Sequence, residues 1–322
     1  MKSGKRRIAL LLAFALCLGL GGCAGLQTAA EPYQVYLVVK STTTEFWKSV
    51  FAGANAAKSE YNVELTILGA ETEDNYEEQN DFIRQAILEG ADAIVFSAIS
   101  YTGNAAAIDE AAAAGIQIVV IDSDVDSDAV CVRIGTDNVE AGRISAAAAL
   151  DTREEALVVG IVNCDKSTQN GQEREQGFRE KLLADGRVKG IYTVNVPTDR
   201  RQAKLAAERL LLEHPDINVL IGFNEPLGVG VAQAIDELGR KDTVRGIAFD
   251  SNVKCIEYLQ TGVVSALVVQ NPYAMGYLGI EKAWQALQGQ RFDGSLMDTA
   301  TTIVTPENMF TMESQKAMFS FT

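Results

Sequence analysis

The chain has 322 residues, of which 47% are hydrophobic and 22% are charged, and it carries 43 acidic side chains against 28 Lys and Arg. The net charge of −15 repels nucleic acid and anionic lipid headgroups. The composition therefore argues against a nucleic-acid-binding protein and against a basic membrane-binding surface. A chain of this length exceeds one comfortable hydrophobic core, which indicates two lobes.

The N-terminal segment has the pattern of a signal peptide. Four cationic residues within positions 2–7 precede an apolar stretch over residues 8–20, which is short for a bilayer span but suits a signal-peptide core. The stretch ends in LGGC at residues 20–23, which resembles the bacterial lipobox, where the cysteine is acylated and becomes the new N-terminus. We expect residues 1–22 to be removed, Cys23 to carry the lipid, and residues 23–32 to form a tether.

Ten short apolar runs alternate with longer segments of helical periodicity, and no internal repeat is apparent. The runs are QVYLVV (34–39), VELTIL (63–68), AIVFS (93–97), IQIVVI (116–121), VCVRI (130–134), LVVGIV (157–162), GIYTVNV (190–196), NVLIGF (218–223), VRGIAF (244–249) and VSALVV (264–269). Continuously apolar strands are typical of parallel sheets covered on both faces. The alternation predicts right-handed βαβ units in an α/β fold with open, doubly wound parallel sheets.

Polar residues follow seven of these runs, at the edge where ligands bind in open parallel sheets. They are Ser41 to Thr44 before Phe46 and Trp47, then Ser97, Asp122, Asn163, Asn224 with Glu225, Asp250, and Gln270 with Asn271. One such residue is most often a helix cap or a turn former. Together they suit a polyol, because carboxylates accept hydrogen bonds from hydroxyls, amides donate and accept them, and flat rings stack on sugars.

Several segments carry a resemblance to a known family. KSTTTEFWKSVFAGANAAKSEYNVEL (40–65) resembles the opening of the ribose-type sugar-binding proteins of ABC transporters, where KST-x-x-P-F-F precedes the first helix. The likeness continues in order through GADAIVFSAIS, AGIQIVVIDSDVD, IGTDNVEAGR, EREQGF, HPDINVLIGFNEPLGVGVAQAI, GIAFDSN and VVQNPYAMGYLGIEKA. The resemblance implies the periplasmic binding protein type 1 fold, with two doubly wound lobes that are joined by three hinge strands and clamp a ligand between them.

The resemblance also implies domain boundaries. One lobe comprises residues 33–137 plus 271–299, and the other comprises residues 138–270 plus 300–322. The hinges fall near Ile134-Gly135, Gln270, and Thr299 to Thr301.

The resemblance further implies the ligand-binding residues. Asp122, Asn224 and Asp250 match family positions after the fourth, eighth and ninth strands, and Gln270 matches the hinge glutamine. The aromatic pair of the first loop is Phe46 and Trp47.

Other positions depart from the family pattern. Glu45 replaces a proline, while Thr44 and Ser97 replace asparagines. Ser123 and Gln172 stand where the family has ligand-binding arginines, and Arg174 matches the second arginine of the sixth-strand loop. Neither serine nor glutamine reproduces the guanidinium fork, which argues against a plain ribose site. Candidates to compensate are Lys40, Lys166 and Arg174.

The sequence gives little support for catalysis, for a cofactor or for a metal site. Its one histidine is His214, and GxSxG, P-loop and metal-ligand spacings are lacking. The acidic run over residues 122–128 lacks the glycine and glutamate of an EF-hand loop, where Ser127 and Arg133 stand instead, so we interpret it as a solvated turn. Cys131, Cys164 and Cys255 are widely spaced and predict no disulfide framework. The lac repressor family shares the fold but begins with a helix-turn-helix domain, which the signal peptide replaces here.

These observations predict an extracytoplasmic substrate-binding lipoprotein of an ABC importer, which clamps a small sugar or sugar-like polyol. Expected partners are ABC permease subunits and, through the lipid, the cell membrane; a monomer without nucleic acid is expected. The alternative is a ligand sensor that delivers a sugar-like or furanosyl signal to a chemoreceptor or sensor kinase.

Overall fold

The structure, a computed structural model, describes residues 31–319. The predicted signal peptide, the acylation site Cys23 and most of the predicted tether lie outside the described residues. Within them, Tyr33 onward forms one compact unit.

Two six-stranded sheets form this unit. The first contains β1 (Gln34–Val39), β2 (Glu64–Gly69), β3 (Ala93–Phe96), β4 (Gln117–Ile121), β5 (Val130–Gly135) and β11 (Leu296–Asp298). The second contains β6 (Leu157–Asn163), β7 (Val188–Asn195), β8 (Val219–Gly222), β9 (Arg245–Phe249), β10 (Val264–Val269) and β12 (Thr302–Val304). Their orders are β11-β5-β4-β3-β1-β2 and β12-β10-β9-β8-β6-β7, so the second sheet repeats the topology of the first. All neighbouring strands are parallel except the pair β10 and β12.

Helices cover both faces of each sheet. On the first sheet lie α1 (Glu45–Tyr61), α2 (Tyr76–Leu88), α3 (Ala105–Ala113) and α9 (Pro272–Leu287). On the second lie α4 (Asn138–Leu150), α5 (Gln169–Leu183), α6 (Arg200–Glu213), α7 (Glu225–Glu237), α8 (Val253–Gln260) and α10 (Met312–Met318). Along β1, Val35 and Leu37 face the core under α1 and α9, whereas Tyr36 and Val38 face the core under α2 and α3. Both sides of the strand are buried, which explains its unbroken apolar sequence.

The predicted α/β architecture with two doubly wound lobes is confirmed, and every predicted apolar run overlaps a strand. The chain crosses between the sheets three times, over residues 135–138, 269–272 and 298–302. The predicted hinges and lobe boundaries fall at or beside these crossings, and they stay predictions. Strands β11 and β12 were not predicted, because three residues are too few to show a periodicity.

Close helix pairs fix the shape of each lobe. Helices α1 and α9 approach so closely that a Cβ on Gly276 would overlap the backbone carbonyl of Val50. Helices α4 and α5 meet in the same way, since a Cβ on Gly177 would overlap the carbonyl of Val139. Glycine at these positions permits the backbone contact, and it therefore sets the position of the loops that precede α1 and α5.

We expect Gly276→Ala to lower the free energy of unfolding by about 1–3 kcal/mol, because the added methyl group forces the α1–α9 pair apart. The corresponding loss of melting temperature is roughly 5 °C, measurable by thermal denaturation. Gly186→Ala is the matched control, since a Cβ at this turn glycine would meet nothing within 4 Å. Equal melting temperatures for both variants would contradict the close-packing argument.

Candidate ligand-binding site

Two aspartates occupy equivalent places in the two sheets. Asp122 follows β4 and Asp250 follows β9, and their backbone N–H groups donate to the carbonyls of Ile134 and Val268 at 3.0 and 2.9 Å. Both have positive φ, 58° for Asp122 and 67° for Asp250. Aspartate tolerates this left-handed conformation better than most residues. The two carboxylates are thereby held by their backbones at the facing edges of the two sheets.

Loops from both sheets surround a cavity of about 30 Å³, which we call the inner cavity. It is lined by Lys40, Thr44, Phe46, Trp47, Glu73, Asp122, Asn170, Arg174, Asn224, Glu225, Pro226, Asp250 and Gln270. Seven of the ten residues predicted to bind ligand are among them, namely Thr44, Phe46, Trp47, Asp122, Asn224, Asp250 and Gln270. The structure therefore brings together residues that are up to 226 positions apart in the sequence.

The other three predicted residues do not line this cavity. Ser97 lies beneath it and donates its hydroxyl to Asp122 Oδ2 at 2.9 Å. Ser123 Oγ and Gln172 Nε2 are buried and have no hydrogen-bond partner in the described part of the chain. The two positions where the family has ligand-binding arginines thus do not substitute for them at the cavity wall.

Asp122 is paired with a buried cation. Lys40 Nζ lies 3.1 Å from Asp122 Oδ2, and both side chains are 4% exposed. Asn170, from the opposite lobe, donates to Asp122 Oδ1 at 3.1 Å. Burial favours the neutral form of Lys40, but attraction to Asp122 and Glu73 outweighs this, so the pKa of Lys40 is raised above its usual value. Lys40 therefore stays charged and forms an ion pair with Asp122.

The aromatic pair differs in what it presents to the cavity. The rings of Phe46 and Trp47 meet edge to face, with centroids 5.0 Å apart. Trp47 belongs to the core under β1, exposes 1% of its surface and donates Nε1–H to Glu73 Oε1 at 2.9 Å. Burial raises the pKa of Glu73 above its usual value, against the opposing effects of Lys40 and Trp47. Phe46 is half-buried, so it offers the larger stacking face.

Arg174 lines the inner cavity, but its guanidinium group donates hydrogen bonds to other residues of the protein. Its Nε, Nη1 and Nη2 atoms donate to Asn138 Oδ1 at 3.0 Å, to the Phe223 carbonyl at 2.7 Å and to Gln270 Oε1 at 2.7 Å. Thr136 Oγ1 also donates to Gln270 Oε1, at 2.8 Å. Because Gln270 Oε1 accepts both of these bonds, the amide nitrogen of Gln270 points away from Arg174 and Thr136.

That nitrogen donates to the second aspartate. Gln270 Nε2 lies 2.8 Å from Asp250 Oδ1. Burial raises the pKa of Asp250 to about 7, although Arg174 and Gln270 act in the opposite direction. Asp250 therefore differs from Asp122, which has a directly bonded lysine.

Contacts across the cleft show a closed arrangement. The backbone N–H of Phe46 donates to Glu225 Oε2 at 3.0 Å, and the backbone N–H of Tyr101 donates to the Ser167 carbonyl at 3.0 Å. Thr168 Oγ1 donates to the Ile99 carbonyl at 3.3 Å. Together with the bond from Asn170 to Asp122, these bonds connect the loops of one sheet to those of the other.

Sequence reasoning missed three lining residues of the inner cavity, Glu73, Asn170 and Pro226, and did not assign a fourth, Glu225, to the site. Glu73 lies in the loop after β2, and Asn170 lies in the first turn of α5. The residues predicted away from a strand end were limited to the segment after β1 and to Gln172. Reading each whole strand-to-helix loop, including the first helical turn, would have found all four.

A larger cavity of about 720 Å³ adjoins the inner one, and we call it the outer cavity. Four residues line both cavities: Phe46, Glu225, Asp250 and Gln270. Ligand sites usually measure roughly 300–1,000 Å³. Of these two cavities, only the outer one falls in that range.

Comparison with known proteins identifies the family. Residues 35–291 match the family described as Periplasmic binding protein domain. The chain belongs to this family. It is 27% identical over 274 residues to the D-ribose/D-allose-binding protein of Pseudomonas aeruginosa, which covers 82% of this chain and 85% of that protein. It is 25% identical over 261 residues to the ribose import binding protein of Bacillus subtilis, which covers 81% and 84%.

Solved structures agree with this assignment. A carbohydrate transporter solute binding protein from Agrobacterium radiobacter, in complex with D-arabinose, superposes with a TM-score of 0.87 at 29% identity. The match covers 90% of this chain and 100% of that one. The resemblance stated from the sequence is confirmed, and so is the expectation of a binding protein rather than an enzyme. Periplasmic binding proteins are extracytoplasmic, and over residues 31–319 no helix has the length and apolar character to span a bilayer.

Asp250 should make the stability of the ligand-free protein depend on pH. Its pKa rises from an ordinary 3.8 to about 7 on folding, so the ionised form costs folding free energy, and this cost grows as the pH rises from about 4 to about 7. We expect the stability of Asp250→Asn relative to the wild type to increase between about pH 4 and about pH 7, by at most about 1.4 kcal/mol per pH unit.

Chemical denaturation of both proteins at several pH values within this window measures the effect. Asp216→Asn, at an exposed loop position of the same lobe, should leave the pH profile unchanged. A constant difference between Asp250→Asn and the wild type would show that Asp250 titrates normally.

Proposed function

We propose that this protein is the substrate-binding lipoprotein of an ABC importer and clamps a small sugar or sugar-like polyol between its two lobes. The observation that carries the proposal is the meeting of Asp122, Asp250, Asn224 and Gln270 around one interlobe cavity beside Phe46. The relatives named for ribose and allose, and the solved complex with D-arabinose, support the sugar class.

The proposed roles follow from the hydrogen-bonding capacity that each side chain retains. Asp122 and Asp250 accept from ligand hydroxyls. Asn224 Oδ1 already accepts from the Leu227 N–H to cap α7, and its Nδ2 donates to Thr198 Oγ1 at 3.5 Å, so the second N–H of this amide is the group that donates to a ligand oxygen. Phe46 stacks on the sugar ring, and Trp47 supports it from the edge.

Ligand binding is coupled to lobe closure in this proposal. The hinges lie near residues 134–135, 270 and 299–301, and Gln270 belongs to both the hinge and the site. A ligand that contacts Asp122 on one lobe and Asp250 on the other favours the closed state, because it binds that state better. The permease then recognises the closed form.

The changed positions bear on the identity of the ligand. Ser123 and Gln172, which stand where the resemblance implies two arginines, do not line the inner cavity, while Arg174 lines it but uses three of its five N–H donors on neutral acceptors of the protein. The cation closest to the cleft carboxylate Asp122 is Lys40. Because a lysine lacks the bidentate geometry of arginine, we infer a ligand whose hydroxyl pattern differs from that of ribose.

Thermal-shift measurements against pentoses, hexoses, polyols, furanosyl signals, nucleosides and amino acids test the proposal. A ligand present at one hundred times its dissociation constant stabilises by about 2.7 kcal/mol, which raises the melting temperature by several degrees. We expect a shift with one sugar class. A hit only among amino acids would contradict the proposed ligand class.

We expect Asp250→Ala to abolish the ligand-induced shift, because it removes a hydroxyl acceptor and frees the Gln270 amide. The variant should still fold, since the carboxylate is costly to bury. Asp216→Ala, at an exposed site outside both cavities, should retain the full shift. Wild-type affinity in Asp250→Ala would remove Asp250 from the site.

The lipid anchor is the second part of the proposal and rests on the LGGC motif at residues 20–23. We expect Cys23→Ala to prevent acylation and to move the protein from the membrane fraction to the soluble fraction. Metabolic labelling with a radioactive fatty acid, followed by fractionation, measures both effects. Cys131→Ala is a control with an unmodified thiol, and labelling that persists in Cys23→Ala would contradict the anchor.

Delivery of a signal to a chemoreceptor or sensor kinase stays the alternative prediction. Uptake of the radiolabelled ligand by cells with and without this protein separates the two roles. Loss of uptake in the deletion strain supports import, and unchanged uptake with a lost transcriptional or chemotactic response supports sensing.

A further inference from the structure

The charged side chains that line the inner cavity are unbalanced. Two are cations and four are carboxylates, namely Lys40, Arg174, Glu73, Asp122, Glu225 and Asp250. Lys40 forms its ion pair with Asp122, and Arg174 donates to neutral oxygens. Within residues 31–319, no cationic nitrogen forms an ion pair with Glu73, Glu225 or Asp250. Because carboxylates are seldom buried without a counter-charge, these three residues call for an explanation.

Each of these three carboxylates has one oxygen that is bonded to the protein and one that is not. The bonded pairs are Trp47 Nε1 with Glu73 Oε1 at 2.9 Å, the Phe46 N–H with Glu225 Oε2 at 3.0 Å, and Gln270 Nε2 with Asp250 Oδ1 at 2.8 Å. The second oxygens have no hydrogen-bond partner among the described residues and are not sealed from solvent; they are Glu73 Oε2, Glu225 Oε1 and Asp250 Oδ2. The side chains of Glu225 and Asp250 are nevertheless largely buried, since these residues are only 4% and 6% exposed. Three carboxylate oxygens are therefore available to a ligand.

The carboxylates also act on one another. Burial raises the pKa of Asp250 to about 7, and the charges of Glu225 and Asp122 act in the same direction. Burial likewise raises the pKa of Glu73, again with contributions from Asp122 and Glu225. Ionised carboxylates that repel one another in this way stabilise a cation placed among them.

The spacing of these carboxylates suits an organic cation better than a metal ion. In the described part of the chain, no three acidic, histidine or cysteine side chains are placed to hold one metal ion, whose oxygen ligands lie at about 2.0–2.6 Å. An ammonium group forms longer hydrogen bonds to carboxylates, of about 2.7–2.9 Å. Hydroxyl groups of the same molecule reach acceptors that lie farther away. A polyol that carries an amine therefore matches both the charge and the spacing of the site.

We propose that the ligand is an amino sugar or amino polyol, whose protonated primary amine binds between Glu225 and Asp250 while Glu73 faces it from the other lobe. This inference rests on the proposed function and adds the substrate class. An ammonium group has three N–H donors where a hydroxyl has one, and its bonds to carboxylates are charge-assisted. It therefore uses the open oxygens of Glu225 and Asp250 and supplies the counter-charge that the cavity lacks.

Isothermal titration of the purified protein tests the inference. The probes are D-glucose, D-galactose and D-mannose, each compared with its amino sugar and with the N-acetylated amino sugar, and D-sorbitol compared with D-glucamine. We expect at least one amine to bind about tenfold or more tightly than its parent compound, through charge-assisted hydrogen bonds. The N-acetylated form of that amine should lose the gain, because acetylation removes the charge.

Two variants locate the amine. Glu225→Gln keeps an acceptor oxygen for the Phe46 N–H, and Asp250→Asn keeps one for the Gln270 amide, but each removes a negative charge. Each should reduce the preference for the amine over its parent compound severalfold. Glu213→Gln is the matched control, because Glu213 is an exposed carboxylate of the same lobe that lies outside both cavities, and it should keep the full preference. Melting temperatures check that all three variants are folded.

Each other outcome overturns a stated part. Parent compounds that bind as tightly as all their amines would refute the cationic class and leave the proposed sugar receptor intact. An N-acetylated sugar that binds as tightly as its free amine would show that the charge contributes nothing. A preference for the amine that survives in both Glu225→Gln and Asp250→Asn would refute the assignment to these two carboxylates. Absence of binding by every probe would refute both the amine and the sugar class.

Discussion

The buried hydrogen-bonded series from Arg174 through Gln270 to Asp250 is the constraint on which the closed site depends. Arg174 is 1% exposed, and its guanidinium donates to three neutral oxygens and lies 4.8 Å from the centre of the Phe249 ring. Burying a cation is costly unless such bonds and contacts compensate. Because Arg174 fixes the oxygen of Gln270, it also fixes the donor that faces Asp250. A residue of α5 thereby sets the orientation of the Gln270 amide, which lies at a crossing between the sheets and lines the inner cavity.

The two lobes share one strand order, but their equivalent aspartates, Asp122 and Asp250, have different hydrogen-bond partners. Asp122 is bonded to Lys40, Ser97 and Asn170, whereas Asp250 is bonded to a neutral amide and has its pKa raised to about 7 by burial. A polyol in such a cleft meets a salt-bridged carboxylate on one side and a partly protonated carboxyl on the other. The second group donates as well as accepts when it holds a proton. This asymmetry gives a ligand one preferred orientation between two otherwise similar sheet edges.

Sequence reasoning reached the fold and much of the lining of the inner cavity because both follow from local rules. Unbroken apolar runs locate the parallel strands, and the carboxyl ends of those strands locate Asp122, Asn224 and Asp250. The role of Arg174 was not predictable in this way, because its partners lie on α4, β8 and the hinge, and only the folded chain brings them together. Glu73 and Asn170 were missed for a simpler reason, since Glu73 lies inside the loop after β2 and Asn170 lies in the first turn of α5, and neither follows a strand directly. The outer cavity has no sequence signature, because six separate stretches of the chain line it and only the folded chain brings them together.

The contacts across the cleft bear on how much a ligand must contribute to closure. Four hydrogen bonds link the loops of the two sheets, through Phe46, Tyr101, Thr168 and Asn170. Each is worth about 0.5–1.5 kcal/mol net, and this gain is offset by the lost freedom of the lobes. A ligand shifts the balance only by its differential affinity for the closed state. The carboxylates of Asp122 and Glu225 already accept hydrogen bonds from Asn170 and Phe46 across the cleft. Fewer of their oxygen lone pairs are therefore left for a ligand. A ligand must therefore add contacts that span both lobes, beyond these protein–protein bonds, to shift the balance further toward the closed state.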